Sequence, residues 1–181
     1  MVHNNTIFIA ALKAETPNLR KFYYSGVGKI NATIKIMELI NEFKPEKIIN
    51  YGTAGSTKKE LSGLIKCTTF IQHDMDARGL LNFKLGETPF DPISVISFSS
   101  DGYICASGDH FVQSSLEIQC DLVDMEAYAL AKVCKLNNIE FECYKYISDY
   151  TNESSNSDWQ ENCSKGAKLF SIKFPEVIKW Y

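Results

Sequence analysis

The 181-residue chain lacks the marks of several common functional classes. It has only two arginines, Arg20 and Arg78, and no basic run longer than Lys58-Lys59. With 19 Lys+Arg against 22 Asp+Glu the net charge is −3, so no phosphate-tracking patch and no nucleic-acid partner is expected. No apolar run approaches the roughly 18–20 residues of a membrane span, and no membrane partner is expected. Ile7-Phe8-Ile9-Ala10-Ala11-Leu12, the most signal-like stretch near the start, is too short for an h-region and follows no basic segment. The six cysteines (Cys67, Cys105, Cys120, Cys134, Cys143, Cys163) include no CxxC pair, which argues against structural zinc. Most sit in apolar stretches, where a free thiol acts as a small hydrophobe, and this usage fits a reducing, cytoplasmic location. No repeat, low-complexity tract or linker interrupts the chain. With 45% hydrophobic and 23% charged side chains, wholesale disorder is excluded and one domain over residues 1–181 is expected.

Strand-like and helix-like segments alternate. Residues 6–11 are a short run of β-formers, and 22–24 is a second strand candidate. Residues 29–43 carry Ile30, Ile34, Met37 and Ile40 at helical spacing, stopped by Pro45. Residues 47–51 read as a strand entering a small-residue turn, Gly52-Thr53-Ala54-Gly55. Strands are also predicted over 64–72 and 103–106, and the nearly all-apolar stretch 126–136 predicts a buried helix. Residues 140–147 alternate, with Phe141, Cys143, Lys145 and Ile147 on one face. A polar stretch at 151–157 precedes a last helix predicted over 158–170, and the chain ends in Val177-Ile178-Lys179-Trp180. The pattern predicts an α/β fold, a single domain with a central mixed, largely parallel β-sheet flanked by helices. Ligands of such sheets bind beyond the carboxyl ends of the strands. The residues that follow the predicted strands are small, hydroxyl-bearing or acidic.

Familiar nucleotide motifs fail here. Gly26-Val27-Gly28 does not continue to a full GxGxxG, and Lys29 is followed by Ile30 where a Walker A loop needs Ser or Thr. On spacing alone these glycines make a tight turn before the helix. No serine stands in a GxSxG elbow. His3, His73 and His110 are the only histidines, and His73-Asp74-Met75-Asp76 has no HxH or HExxH spacing, so polar rim contacts are a better reading than a metal site. Phe111 reads as core or as an exposed stacking platform. What remains is Glu15, Asp124, Glu126 and Asp149, far apart in sequence at one predicted edge. Singly, each reads as a cap or a solvated turn residue, and Asp124 and Glu126 suit the start of the helix that follows them. Together they suit glycosyl-bond hydrolysis, in which one carboxyl group acts on water and another on the leaving group around an oxocarbenium-like transition state.

The order of the motifs adds to this reading. Ala11-Leu12-Lys13-Ala14-Glu15, Ser25-Gly26-Val27-Gly28-Lys29-Ile30-Asn31-Ala32, Ile48-Ile49-Asn50-Tyr51-Gly52-Thr53-Ala54-Gly55, His73-Asp74-Met75-Asp76-Ala77, Ser107-Gly108-Asp109-His110-Phe111-Val112, Val123-Asp124-Met125-Glu126-Ala127 and Ile147-Ser148-Asp149 follow one another along the chain. This set, from about residue 8 to residue 149, resembles the methylthioadenosine/S-adenosylhomocysteine nucleosidase branch of the purine nucleoside phosphorylase superfamily. The resemblance implies a nucleoside phosphorylase-like domain that hydrolyses the N-glycosidic bond of 5′-methylthioadenosine, S-adenosylhomocysteine or a related adenine nucleoside. It implies no cofactor and no metal. Glu15 matches the acidic residue that activates or orients water, with Thr53, Ala54 and Gly55 lining that side. Phe111 would stack on the base and the Val112 backbone would bond its edge. Met125 and Glu126 match the ribose clamp. Asp149, positioned by Ser148, matches the acid that protonates purine N7, and Leu12 and Val27 would help receive the 5′-alkylthio group. A homodimer is implied as well, with the apolar stretch 90–98 as a candidate to complete a partner's pocket.

The chain departs from that pattern in three places. The segment between Glu15 and Ser25 is shorter than in the family, Thr53 stands in the usual Ser position, and Lys145 stands where an Arg usually supports the ribose-binding carboxylate. Lysine has no bidentate fork. Two alternatives stay open at this stage. A phosphate-dependent phosphorylase of the same superfamily would need basic groups for phosphate, usually arginine, and no rim motif contains one. A degenerate nucleoside-binding protein would keep the pocket without turnover.

Overall fold

The computed structural model describes residues 5–151 and 159–178. His3, the polar stretch beyond Thr151 and the terminal Lys179-Trp180 therefore lie outside the described residues. The chain runs β1 (Thr6–Ala10), β2 (Phe22–Tyr24), α1 (Lys29–Phe43), β3 (Lys47–Ser56), β4 (Leu64–Gln72), β5 (Ile96–Ser97), β6 (Tyr103–Ser107), β7 (Leu122–Asp124), α2 (Ala127–Leu136), β8 (Glu140–Tyr150) and α3 (Trp159–Lys173), with a 3-10 turn at Lys13–Glu15 and another at Pro175–Val177. Helix α1 stops where the periodicity says it should. Lys44 takes a left-handed conformation and its N–H caps the Ile40 carbonyl, just before Pro45.

Period-two alternation sorts the strand side chains onto two cores. Ile7 and Ile9 of β1, Ile48 of β3 and Phe141 and Cys143 of β8 pack with α1 and α2. Phe8, Ile49, Tyr51 and Tyr144, their neighbours in sequence, point to the other face and pack on Phe170 of α3 and on Val177. The Phe170 ring lies 4.5 Å from that of Tyr51 and is fully buried, so truncating it would cost about 3–5 kcal/mol.

The sheet is mixed, as expected, and it closes on itself. Strands run in the order β2-β1-β3-β7-β6-β4-β5, and β8 pairs with both β3 and β4. Strands β3, β7, β6, β4 and β8 therefore form a ring, with β1, β2 and β5 as extensions. Strand β8 is parallel to β3 over Glu140–Tyr150 and antiparallel to β4. Strand β7 is parallel to β6 and antiparallel to β3. The strands thus form two oppositely directed sets, and the functional edge is not one row of carboxyl ends. It is the place where the sets cross.

That crossing corrects one local reading. Gly52-Thr53-Ala54-Gly55 is not a turn but the continuation of β3, paired with Lys145, Tyr146, Ile147 and Asp149 of β8. The register slips between Ala54 and Gly55, leaving Ser148 as an inserted residue in a β-bulge. Residues 16–21 lead directly from the first 3-10 turn into β2, which pairs parallel with β1. The stretch 90–98 is not a uniform surface patch: Phe90 and Val95 are exposed, Ile96 is buried, and Phe98 packs against the core.

Candidate active site

A cavity of about 290 Å³ opens at the crossing. Leu12 and Glu15 enter it from the segment after β1, and Val27 from the turn before α1. Thr53, Ala54 and Gly55 come from β3, Phe111 and Val112 from the loop after β6, Met125 and Glu126 from the β7–α2 junction, and Ser148 and Asp149 from the bulge in β8. All the site residues named from sequence thus line one cavity. Ala11, His110, Val123 and Asp124 line it too.

Glu15 is almost fully buried yet well bonded. Its Oε1 accepts from the Thr53 N–H at 2.8 Å and the Thr53 hydroxyl at 2.9 Å, and its Oε2 accepts from the Leu12 N–H at 3.0 Å. The threonine keeps the hydroxyl that this position needs. The contacts hold the carboxylate in one orientation against β3.

Asp124 and Lys145 make the floor. Lys145 Nζ lies 2.8 Å from Asp124 Oδ2, with both side chains at most 2% exposed. The other partners of Asp124 are the Ser107 hydroxyl, which donates to Oδ1 at 2.5 Å, and the Ala127 N–H at the start of α2, which donates to Oδ2 at 2.8 Å. Burial pushes the Asp124 carboxyl up, but Lys145 and these donors outweigh it and hold it below the ordinary value. Burial likewise opposes the charge on Lys145, and the Asp124 carboxylate overrides it, raising the ammonium well above its usual range. Asp124 is therefore a counter-charge to Lys145 that also caps the first turn of α2.

The pair spans a strand. Lys145 is the β8 partner of Gly52, and β7 lies on the far side of β3. The lysine stem crosses β3 at Gly52 to reach Asp124. A Cβ on Gly52 would sit 3.3 Å from Lys145 Nζ and 3.1 Å from Glu15 Oε1, tighter than ordinary contacts. Glycine is needed there for close approach, and not for a bend.

Glu126 precedes α2 and accepts from the Gly28 N–H at 2.9 Å. Burial first, and then the nearby Asp124 carboxylate, push its carboxyl up to about 7. On the opposite side Asp149 Oδ1 accepts from the Ser148 hydroxyl at 2.5 Å. The residues from the loop after β6 are open: Phe111 is 60% exposed and His110 lies edge-on to His73 at 4.8 Å. His73 is buried, burial lowers its pKa, and among the described residues neither of its ring nitrogens has a hydrogen-bond partner. Asp74 pairs with Lys29, and Asp76 with Arg78. Among the described residues no group of three or more ligand-type side chains is placed to hold a metal.

Sequence reasoning placed Lys145 on the inward face and left Asp124 between cap and chemistry. It missed the strand-crossing contact that joins them, because nothing local to either residue points to Gly52. His110 was passed over as one of three scattered histidines.

Comparisons with known proteins bear on the fold and the family. The family described as the phosphorylase superfamily matches residues 21–102. A 5′-methylthioadenosine/S-adenosylhomocysteine nucleosidase from Staphylococcus haemolyticus is 29% identical over 184 residues, covering 86% of this chain and 79% of the relative. Among solved structures, a Helicobacter pylori mutant nucleosidase with 5′-methylthioadenosine in its active site is similar with a TM-score of 0.84 at 20% identity, over 97% of this chain and 100% of that one. The futalosine hydrolase of Helicobacter pylori is similar with a TM-score of 0.82 at 21% identity, over 96% and 99% of the two chains. The likeness to these solved structures is one of fold.

Proposed function

We propose that the chain is a member of the methylthioadenosine/S-adenosylhomocysteine nucleosidase branch of the phosphorylase superfamily, and that it hydrolyses the N-glycosidic bond of an adenine nucleoside with a 5′-thio substituent. The observation that carries the reading is the convergence of Glu15, Glu126 and Asp149 on one cavity that also holds an exposed aromatic ring. As the bond from C1′ to the base nitrogen stretches, positive charge grows on the sugar and negative charge on the purine. Glu126 accepts from the ribose hydroxyls and faces the sugar cation. Glu15, pinned by Thr53, takes a proton from water as the water oxygen bonds to C1′. Asp149 gives its proton to purine N7, and the free base leaves. Phe111 stacks on the base, the Val112 backbone bonds its edge, and Leu12 and Val27 receive the alkylthio group.

The cation supply supports water over phosphate as the nucleophile. Lys145 is committed to Asp124, Arg78 bonds Asp76 and Glu117, and no arginine lines the cavity among the described residues. The apolar residues exposed at and beside the mouth, Leu12, Val27, Ile30, Ile34 and Phe111, support a homodimer. Six free cysteines support a reducing, cytoplasmic setting.

The test is chromatographic detection of free base, without and with phosphate, from methylthioadenosine, S-adenosylhomocysteine, futalosine, adenosine, inosine and AMP. Phosphate-independent release of adenine from the thio-nucleosides is expected. Release only with phosphate would make the chain a phosphorylase, and binding without release a nucleoside-binding protein.

A further inference from the structure

Helix α1 starts without a side-chain cap of its own: Gly28, at φ +96°, stands in the cap position and offers none. The unpaired N–H groups of that turn are taken instead by two carboxylates from other segments, Glu126 of the cavity wall and Asp109 just outside it. The Gly28 N–H donates to Glu126, and the Lys29 N–H donates to Asp109 Oδ1 at 2.7 Å. A Cβ on Gly28 would lie 3.1 Å from that Asp109 oxygen. The Lys29 side chain then folds back over the same loop. Its Nζ is 2.5 Å from Asp74 Oδ1, 3.0 Å from Gln72 Oε1 and 3.9 Å from Asp109 Oδ2. Asp74 completes the circuit by accepting the Asp109 N–H at 2.8 Å through Oδ2.

One ammonium therefore stands between two carboxylates on two different segments, the end of β4 and the loop after β6. The residues after Asp109 are His110, Phe111 and Val112, all of which line the cavity. Lys29 and Asp74 do not line it. Without the lysine, Asp74 and Asp109 would face each other as like charges, and the simplest relief is movement of the Asp109 loop, whose Asp109 side chain is 46% exposed.

We propose that Lys29, acting through Asp74 and Asp109, is a positioning residue that fixes the base-binding loop 109–112. This assignment rests on the nucleosidase reading, because it takes that loop as the base platform. Burial pushes the Asp74 carboxyl up, while bonds from Lys29 and the Asp109 N–H bring it below its ordinary value, as a paired carboxylate requires.

The test compares Lys29→Met, Lys29→Arg and Lys29→Met/Asp74→Asn with the unmodified chain. Adenine affinity is measured by calorimetry, KM and kcat by adenine release, and Tm in parallel. Lys29→Met is expected to weaken adenine binding and raise KM by about tenfold or more, with kcat changed less than about threefold. Adding Asp74→Asn should recover much of the loss, because the amide still accepts the Asp109 N–H and the repulsion is gone. Lys29→Arg should be milder than Lys29→Met. A merely structural role would lower Tm and the active fraction while leaving KM and adenine affinity of the folded protein unchanged, and that result would overturn the assignment. Adenine binding by the unmodified chain that Lys29→Met leaves intact overturns it alone. An unmodified chain that neither binds adenine nor releases it would remove the nucleosidase reading and this assignment together.

Discussion

The floor and the rim of the cavity are built by opposite means. At the floor Glu15, Asp124, Glu126 and Lys145 are all less than a tenth exposed, and each carboxylate is held by donors from at least one other segment. At the rim the Phe111 ring and His110 stand largely in solvent, and Asp109 is half out. In the proposed reaction the floor would face the sugar, where charge develops, and polar groups held in place beforehand need no reorganisation there. In the same proposal the rim would meet a flat apolar base. Contact alone serves that purpose, and its surface loses water only when the ligand arrives. Rigidity is concentrated where electrostatics must be aimed.

The contrast can be broken most severely at the floor. Lys145→Met leaves Asp124 as an uncompensated buried charge and should destabilise the fold by about 3–5 kcal/mol, read as a fall in the urea midpoint, with activity lost as well. A midpoint that does not move would mean that the floor is not held by this pair. Next comes Asp149→Asn, expected to cut kcat by about 10²–10⁴-fold while the circular dichroism spectrum and Tm stay near those of the parent. Near-normal turnover would remove Asp149 as the acid.

A third effect is graded by pH. In its proposed role Glu126 faces the sugar cation as a carboxylate, and its folded value of about 7 stands above the ordinary 4.5. Activity at low substrate should therefore fall about tenfold per pH unit below that value, and Glu126→Gln should be poorly active with the step flattened. The stability consequence has the opposite sign. The native state holds this proton more tightly than the unfolded chain does, so stability is lost as pH rises from about 4.5 toward about 7. In Glu126→Gln that loss should vanish. The smallest effect belongs to the rim: Phe111→Ala removes a stacking contact of about 1–3 kcal/mol, raising KM about tenfold, while the urea midpoint stays within about 0.5 kcal/mol of the parent. A large stability loss there would make Phe111 a core residue and erase the contrast.

Much of the architecture was legible from periodicity. The predicted spans 29–43 and 64–72 coincide with α1 and β4, because each has a clean apolar period and a hard stop. The carboxylates Glu15, Asp124, Glu126 and Asp149 were legible as residues that follow predicted strands, whereas the rest of the cavity lining came from the family resemblance that the order of the motifs carries. What could not be read was set by partners distant in sequence. Small residues at 52–55 look like a turn to any local rule, but they are small because Lys145, Glu15 and Asp149 crowd against the strand. Lys29 read as the lysine of a failed Walker A motif and the first residue of a helix, since its partners at 72, 74 and 109 are joined to it by the fold alone. The closure of the ring depends on β8 having a second partner, and alternation along β8 specifies faces but not neighbours.

The ring also has a consequence for the time course of synthesis. Its last strand pairs with a partner made long before it, as in the Cys143–Asn50 contact across 93 residues. Until β8 emerges, β3 and β4 have nothing between them and Asp124 has no lysine beside it. The nascent chain therefore carries nearly every residue of the pocket without possessing a pocket. Catalytic competence would arrive in one late step, as a single strand slides into the gap and brings with it both the charge that settles the floor and the acid proposed for the leaving group.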